Sequence, residues 1–103
     1  MYEIKGQTIS LIAGEAISVD QKFMPVYISG DNTCKVTGAG ESAKYVGYVQ
    51  AEGKLGEAVP VMINGVTMFK ATGAVAAGAT VTGGGIALAA AKVAGDIIPV
   101  KIV

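Results

Sequence analysis

Few residues in this chain could do chemistry, and three of them share one setting. Glu15, Glu57 and Asp96 each follow a glycine at a turn. The chain has no histidine and one cysteine. Zinc sites of the usual kind and histidine-based triads are therefore excluded, which leaves paired carboxylates as the general acid–base option. The same three acids also read as solvated turn residues that open strands. A single cysteine, Cys34, excludes an internal disulfide, and a small buried thiol is inert. Gly38-Ala39-Gly40-Glu41-Ser42-Ala43-Lys44 has some features of a phosphate loop. It lacks the Gly-Lys-Ser/Thr ending, and no helix pattern follows it. The four tyrosines read as packing residues, because a base-stacking platform would need arginine or a basic surplus beside it.

Charge narrows the partners. Eight lysines balance eight acidic residues, and there is no arginine. Phosphate neutralisation supplies most nucleic-acid affinity, so no nucleic-acid partner is expected. A net charge of zero leaves self-association unopposed by repulsion. At 103 residues a single domain spanning 1–103 is expected. The opening residues lack a basic region followed by an apolar run, so no signal peptide is read. Residues 71–91 are uncharged, but their glycines and threonines make a poor membrane helix. The expectation is a protein with no membrane partner, made in a reducing compartment, with no cofactor and no metal.

The elements that would position these residues read as strands. Alternating or β-rich apolar runs stand at 8–12, 16–19, 24–28, 33–37, 45–49, 59–63, 66–71, 86–88 and 97–103. Composition rests on Val, Ile, Ala and Gly, which suit thin, closely packed sheets. Asn64-Gly65 falls between two such runs, and Asn-Gly favours a type I′ turn. The spacing therefore predicts that 59–63 pairs antiparallel with 66–71.

An internal echo organises the rest. Gly56-Glu57-Ala58-Val59-Pro60-Val61-Met62-Ile63 matches Gly95-Asp96-Ile97-Ile98-Pro99-Val100-Lys101-Ile102, 39 residues on, from Pro60 to Pro99. Upstream, Gly47-Tyr48-Val49-Gln50-Ala51 corresponds to Gly85-Ile86-Ala87-Leu88-Ala89, and Gly14-Glu15-Ala16-Ile17 repeats the opening. Two copies are too few for a solenoid. The fold class read from this is mostly β: a small single-domain β-barrel or sandwich with two similar halves. Each echoed proline lacks a ladder donor, which predicts an edge, a bulge or a barrel opening that a neighbouring subunit could cover.

Taken together, these motifs resemble the small capsid decoration, or cement, proteins of tailed bacteriophages. The resemblance is carried by Gly14-Glu15-Ala16-Ile17, then Tyr45-Val46-Gly47-Tyr48-Val49-Gln50-Ala51, then Gly56-Glu57-Ala58-Val59-Pro60-Val61. Ala77-Gly78-Ala79-Thr80-Val81 and Gly95-Asp96-Ile97-Ile98-Pro99-Val100 complete it, in this order across nearly the whole chain. It implies a non-enzymatic virion protein on the outer capsid surface. Its expected partners are the major capsid protein and further copies of itself in a homotrimer. Some members carry a long N-terminal arm that meets the shell. Only a short segment precedes the first strand here, so Met1, Tyr2, Glu3 and Ile4 are the candidate capsid contacts. A second resemblance is to biotinyl or lipoyl carrier domains, where Lys70 in Met68-Phe69-Lys70 would be the modified lysine. Those domains carry that lysine at a hairpin tip, a place taken in this chain by Asn64-Gly65. Another structural virion component is the remaining reading.

Overall fold

Among the described residues the alternating runs become eight strands. They are β1 (Thr8–Ala13), β2 (Pro25–Gly30), β3 (Thr33–Lys35), β4 (Tyr45–Val49), β5 (Ala58–Met62), β6 (Gly65–Lys70), β7 (Ile86–Ala87) and β8 (Ile97–Ile102). The computed structural model describes residues 7–38 and 44–102. Strands β1, β3, β2, β4 and β5 close a five-stranded barrel, and β6, β8 and β7 form a second, three-stranded sheet. β1 runs parallel to β3 and antiparallel to β5; the other pairs are antiparallel. The protein is mostly β, and among the described residues no helix is long and apolar enough to cross a membrane.

Side-chain alternation divides the core in two. Val49 pairs with Val61, and both point into the barrel with Leu11, Ala13, Val26, Cys34 and Val59. Their neighbours Tyr48 and Met62 also pair, and a period of two turns them outward. There they meet Phe69, Ala87, Ile98 and Val100 of the second sheet. The second sheet thus packs on the outside of β4 and β5.

The Asn64-Gly65 hairpin does not form. β5 pairs with β1 on one side and β4 on the other, so it has no free edge for β6. β6 pairs instead along its full length with β8, from Gly65 opposite Ile102 to Lys70 opposite Ile97. Asn64-Gly65 carries the chain from barrel to second sheet. Only Gly65 has positive φ, at 92°, whereas a type I′ turn needs both residues there. Asn64 spends its side chain on the Gln7 N–H at 2.5 Å. Gly65→Val is still expected to cost about 1–3 kcal/mol, since a β-branched residue is strained at that φ; thermal denaturation reads it.

The strand expected at 16–19 is also corrected. Only Ile17 makes a bridge, to Gly53, and Val19–Gln21 is a short 3-10 turn. The Ser18 N–H donates to Gln21 Oε1 at 2.9 Å. Ser-x-x-Gln is a helix-start signature, and it outweighs the alternation of four residues.

The prolines do not lie on sheet edges. Pro60 is in β5, inside the barrel wall, and Pro99 is in β8, the central strand of its sheet. Each is tolerated because its missing donor faces a ladder that has just ended. Pro60 O accepts from Gln50 N–H, one residue past β4, at 2.9 Å. Pro99 O accepts from Leu88 N–H, one residue past β7, also at 2.9 Å.

That match extends through both halves. Ser10 lies opposite Pro60 as Met68 lies opposite Pro99, and Tyr48 opposite Met62 as Ile86 opposite Lys101. Ala13 N–H donates to Glu57 O as Ala71 N–H donates to Asp96 O. Ile17 and Gly53 exchange two hydrogen bonds, as do Val75 and Ala91. The two halves are built alike in these ladder bonds. They differ in what lies between: the first half inserts residues 18–44, including β2 and β3, which close its barrel.

Candidate functional site

The three turn acids are all engaged by the backbone. Glu15 is half-buried beside β3. Its Oε2 accepts from Val36 N–H and Thr37 N–H, each at 2.9 Å, and its Oε1 accepts from the Thr37 hydroxyl at 2.6 Å. Burial opposes its ionisation, but these three hydrogen bonds and the nearby Lys35 outweigh it and hold the carboxyl below the usual carboxylate range. A carboxylate whose pKa falls on folding contributes stability above its unfolded pKa. That contribution fades as pH drops through the lower folded pKa. Glu15→Gln is therefore expected to destabilise the protein at neutral pH and to flatten the acid limb of its stability curve, read by denaturant melts from pH 7 to pH 3.

Glu57 and Asp96 do the same work at two equivalent turns. Glu57 Oε1 accepts from Lys54 N–H at 2.6 Å. Asp96 Oδ2 accepts from Lys92 N–H at 2.8 Å and from Val93 N–H at 3.2 Å. The three acids stand at separate turns, each serving as a backbone acceptor. Among the described residues no three of His, Cys, Asp and Glu are grouped so as to hold a metal ion.

Cys34 is fully buried in the barrel. Burial pushes its thiol pKa up, and the charge of Glu15 adds to the effect. It is expected to stay unreactive toward an aromatic disulfide reagent in native protein and to react fully after unfolding; a fast native reaction would contradict this placement.

Lys70 is not at a hairpin tip. It ends β6 opposite Ile97, and its Nζ donates to the Asp20 carbonyl at 2.7 Å. Tyr48 is fully buried, and burial raises its pKa against the Gly85 hydrogen bond. Its hydroxyl donates to Thr82 O at 2.9 Å and accepts from Gly85 N–H at 3.2 Å. It pins the barrel to the second half. Tyr27 and Tyr45 meet edge to face, with ring centres 6.3 Å apart.

One open cleft, of about 400 Å³, lies between residues 16–18 and the turn carrying Glu52, Lys54 and Glu57. The candidate capsid contacts Met1, Tyr2, Glu3 and Ile4 lie outside the described residues, as does most of the Gly38–Lys44 loop.

What the sequence did not single out are the two turn tips. Leu55 is 69% exposed and Val93 61% exposed, each after an exposed lysine. The turns Lys54-Leu55-Gly56-Glu57 and Lys92-Val93-Ala94-Gly95-Asp96 differ by one inserted residue, and their closing bonds, Glu57 N–H to Lys54 O and Asp96 N–H to Val93 O, match Lys54 with Val93 and Leu55 with Ala94. Comparison with protein-family models finds no match, and comparison with curated proteins finds no significant one.

Proposed function

We propose that this chain is a capsid decoration protein of a tailed bacteriophage, binding the outer surface of the expanded shell and bracing neighbouring major capsid subunits. The observation that carries the reading is the order and spacing of its glycine-acid-apolar motifs across nearly the whole chain. A rigid β body with its turn acids tied to backbone donors suits a role that needs shape rather than a reacting group. The proposed mechanism is mass action. A protein that binds only the assembled, expanded shell stabilises that state over every other. Many equal contacts, each weak, add up through multivalency.

The test is pelleting with expanded and unexpanded shells lacking their decoration protein. The protein is expected to sediment with expanded shells in a fixed ratio and to stay in the supernatant with unexpanded ones. Protein left in the supernatant with both would reject the reading. A homotrimer is part of the proposal, with zero net charge in its support. Three copies per binding position on the shell are expected; one copy per position would reject the trimer. Met1, Tyr2, Glu3 and Ile4 are proposed as a contact segment. Deleting them is expected to reduce shell occupancy without lowering the melting temperature.

A further inference from the structure

Asn64-Gly65 has the composition of a hairpin turn and does not serve as one, which leaves its other chemistry to account for. Asn64 is exposed, and the residue after it has no side chain to shield its backbone nitrogen. The Asn64 amide is held at both of its atoms by one residue. Its Oδ1 accepts from the Gln7 N–H at 2.5 Å, and its Nδ2 donates to Gln7 Oε1 at 3.5 Å. The first bond polarises the side-chain carbonyl and makes Cγ more open to a nucleophile. The nearest nucleophile along the chain is the Gly65 nitrogen. Gly65 is the end residue of β6, opposite Ile102, and an end pair opens before the pairs inside it. The chain's other asparagine, Asn32, is followed by Thr33, whose branched side chain crowds the nitrogen beside it.

We infer that Asn64 is a self-modification site, at which the Gly65 nitrogen closes on the Asn64 side chain and water completes its conversion to aspartate. The Gly65 N–H gives its proton to hydroxide, and the nitrogen forms a bond to Asn64 Cγ. Negative charge develops on Oδ1, where the Gln7 N–H already stands to meet it. The Cγ–Nδ2 bond breaks, and Nδ2 takes a proton from water and leaves as ammonia, restoring the hydroxide. Water then opens the five-membered imide at one of its two carbonyls. Breaking the new Cγ–N bond gives an ordinary aspartate. Breaking the original peptide bond leaves the backbone running through Cγ, as isoaspartate. Water enters and ammonia leaves, with no oxidant or reductant. Either product adds a negative charge to a chain whose net charge is zero, at the joint between barrel and second sheet. Isoaspartate also adds a main-chain atom between Ile63, which is bonded to Gln7 O, and Gly65, which is paired with Ile102. The inference is independent of the decoration reading.

The experiment incubates folded protein in mildly alkaline buffer beside the same protein in denaturant. Peptide mapping by mass spectrometry reads the exchange of an amide for a carboxyl, and chromatography separates aspartyl from isoaspartyl peptides. In folded protein Asn64 is expected to convert to both products while Asn32 stays intact. Asn64 intact in folded protein, over a time in which the denatured chain has converted, would overturn the site. Gln7→Pro deletes the N–H at Oδ1 and keeps the carbonyl that Ile63 bonds. It is expected to slow conversion at least about tenfold in folded protein and not at all in denaturant, as removal of a charge-stabilising donor should. Gln7→Ala keeps that N–H and is expected to react as wild type. Equal folded-state rates for Gln7→Pro and wild type would overturn the part assigned to Gln7. The wild-type comparison decides the site itself, whatever Gln7→Pro does to folding.

Discussion

Phe69→Ala is expected to lower stability by about 3–5 kcal/mol, the range for removing a buried phenylalanine. Phe69 is 1% exposed and lies at the contact between barrel and second sheet. Its ring meets Tyr48 edge-on, with centres 5.8 Å apart at 88°. Truncation would leave a cavity between two rigid sheets that cannot collapse into it. The loss should lower the melting temperature by roughly 4–8 °C per kcal/mol for a domain of this size. Calorimetry reads it directly. A drop of only a degree or two would mean that the halves do not pack as described.

Gly47→Ala and Gly85→Ala form the second expectation, and their equivalence is its point. A Cβ at Gly47 would overlap the Met62 carbonyl oxygen and the Val61 side chain. A Cβ at Gly85 would overlap the Val100 side chain and crowd the Lys101 carbonyl. Val61 and Met62 correspond to Val100 and Lys101 in the duplicated halves, so one close strand approach is made twice. Backbone cannot yield as a side-chain tip can. Gly47→Ala is expected to cost about 3 kcal/mol or more, at the upper end of overpacking penalties, and Gly85→Ala, whose nearest contacts are the Val100 and Tyr48 side chains, about 1–3 kcal/mol. Gly73→Ala is the comparison, because its Cβ would meet nothing within 4 Å; it should stay near wild type. Equal tolerance at Gly47 and Gly73 would contradict the strand approach.

Element type was legible where alternation was clean. Residues 45–49 read as a strand and form β4, and 8–12 read as β1 to within a residue. The likeness of the halves was legible because it is written as a direct repeat around Pro60 and Pro99. Pairing was not legible. Asn64-Gly65 carries the local signature of a hairpin, but β5 is claimed on both edges by β1 and β4, a long-range outcome that no dipeptide encodes. The prolines failed as edge markers for a related reason. A missing donor is harmless wherever the neighbouring ladder ends, and that end depends on where β4 and β7 stop. Phe23 holds φ 68°, and nothing in Lys22-Phe23-Met24 announces it. Its N–H bonds Val49 O at 2.8 Å, so the barrel imposes that conformation. For the site, the turn acids were located by sequence, but their engagement with Thr37, Lys54 and Lys92 needed the folded geometry.

The decoration reading is tested most directly by electron cryomicroscopy of expanded, undecorated shells incubated with saturating protein. The account predicts regular, equal projections on the outer surface at local three-fold positions, each large enough for three copies of this domain. Shells that stay bare under those conditions, or that carry density only on the inner face, would contradict it.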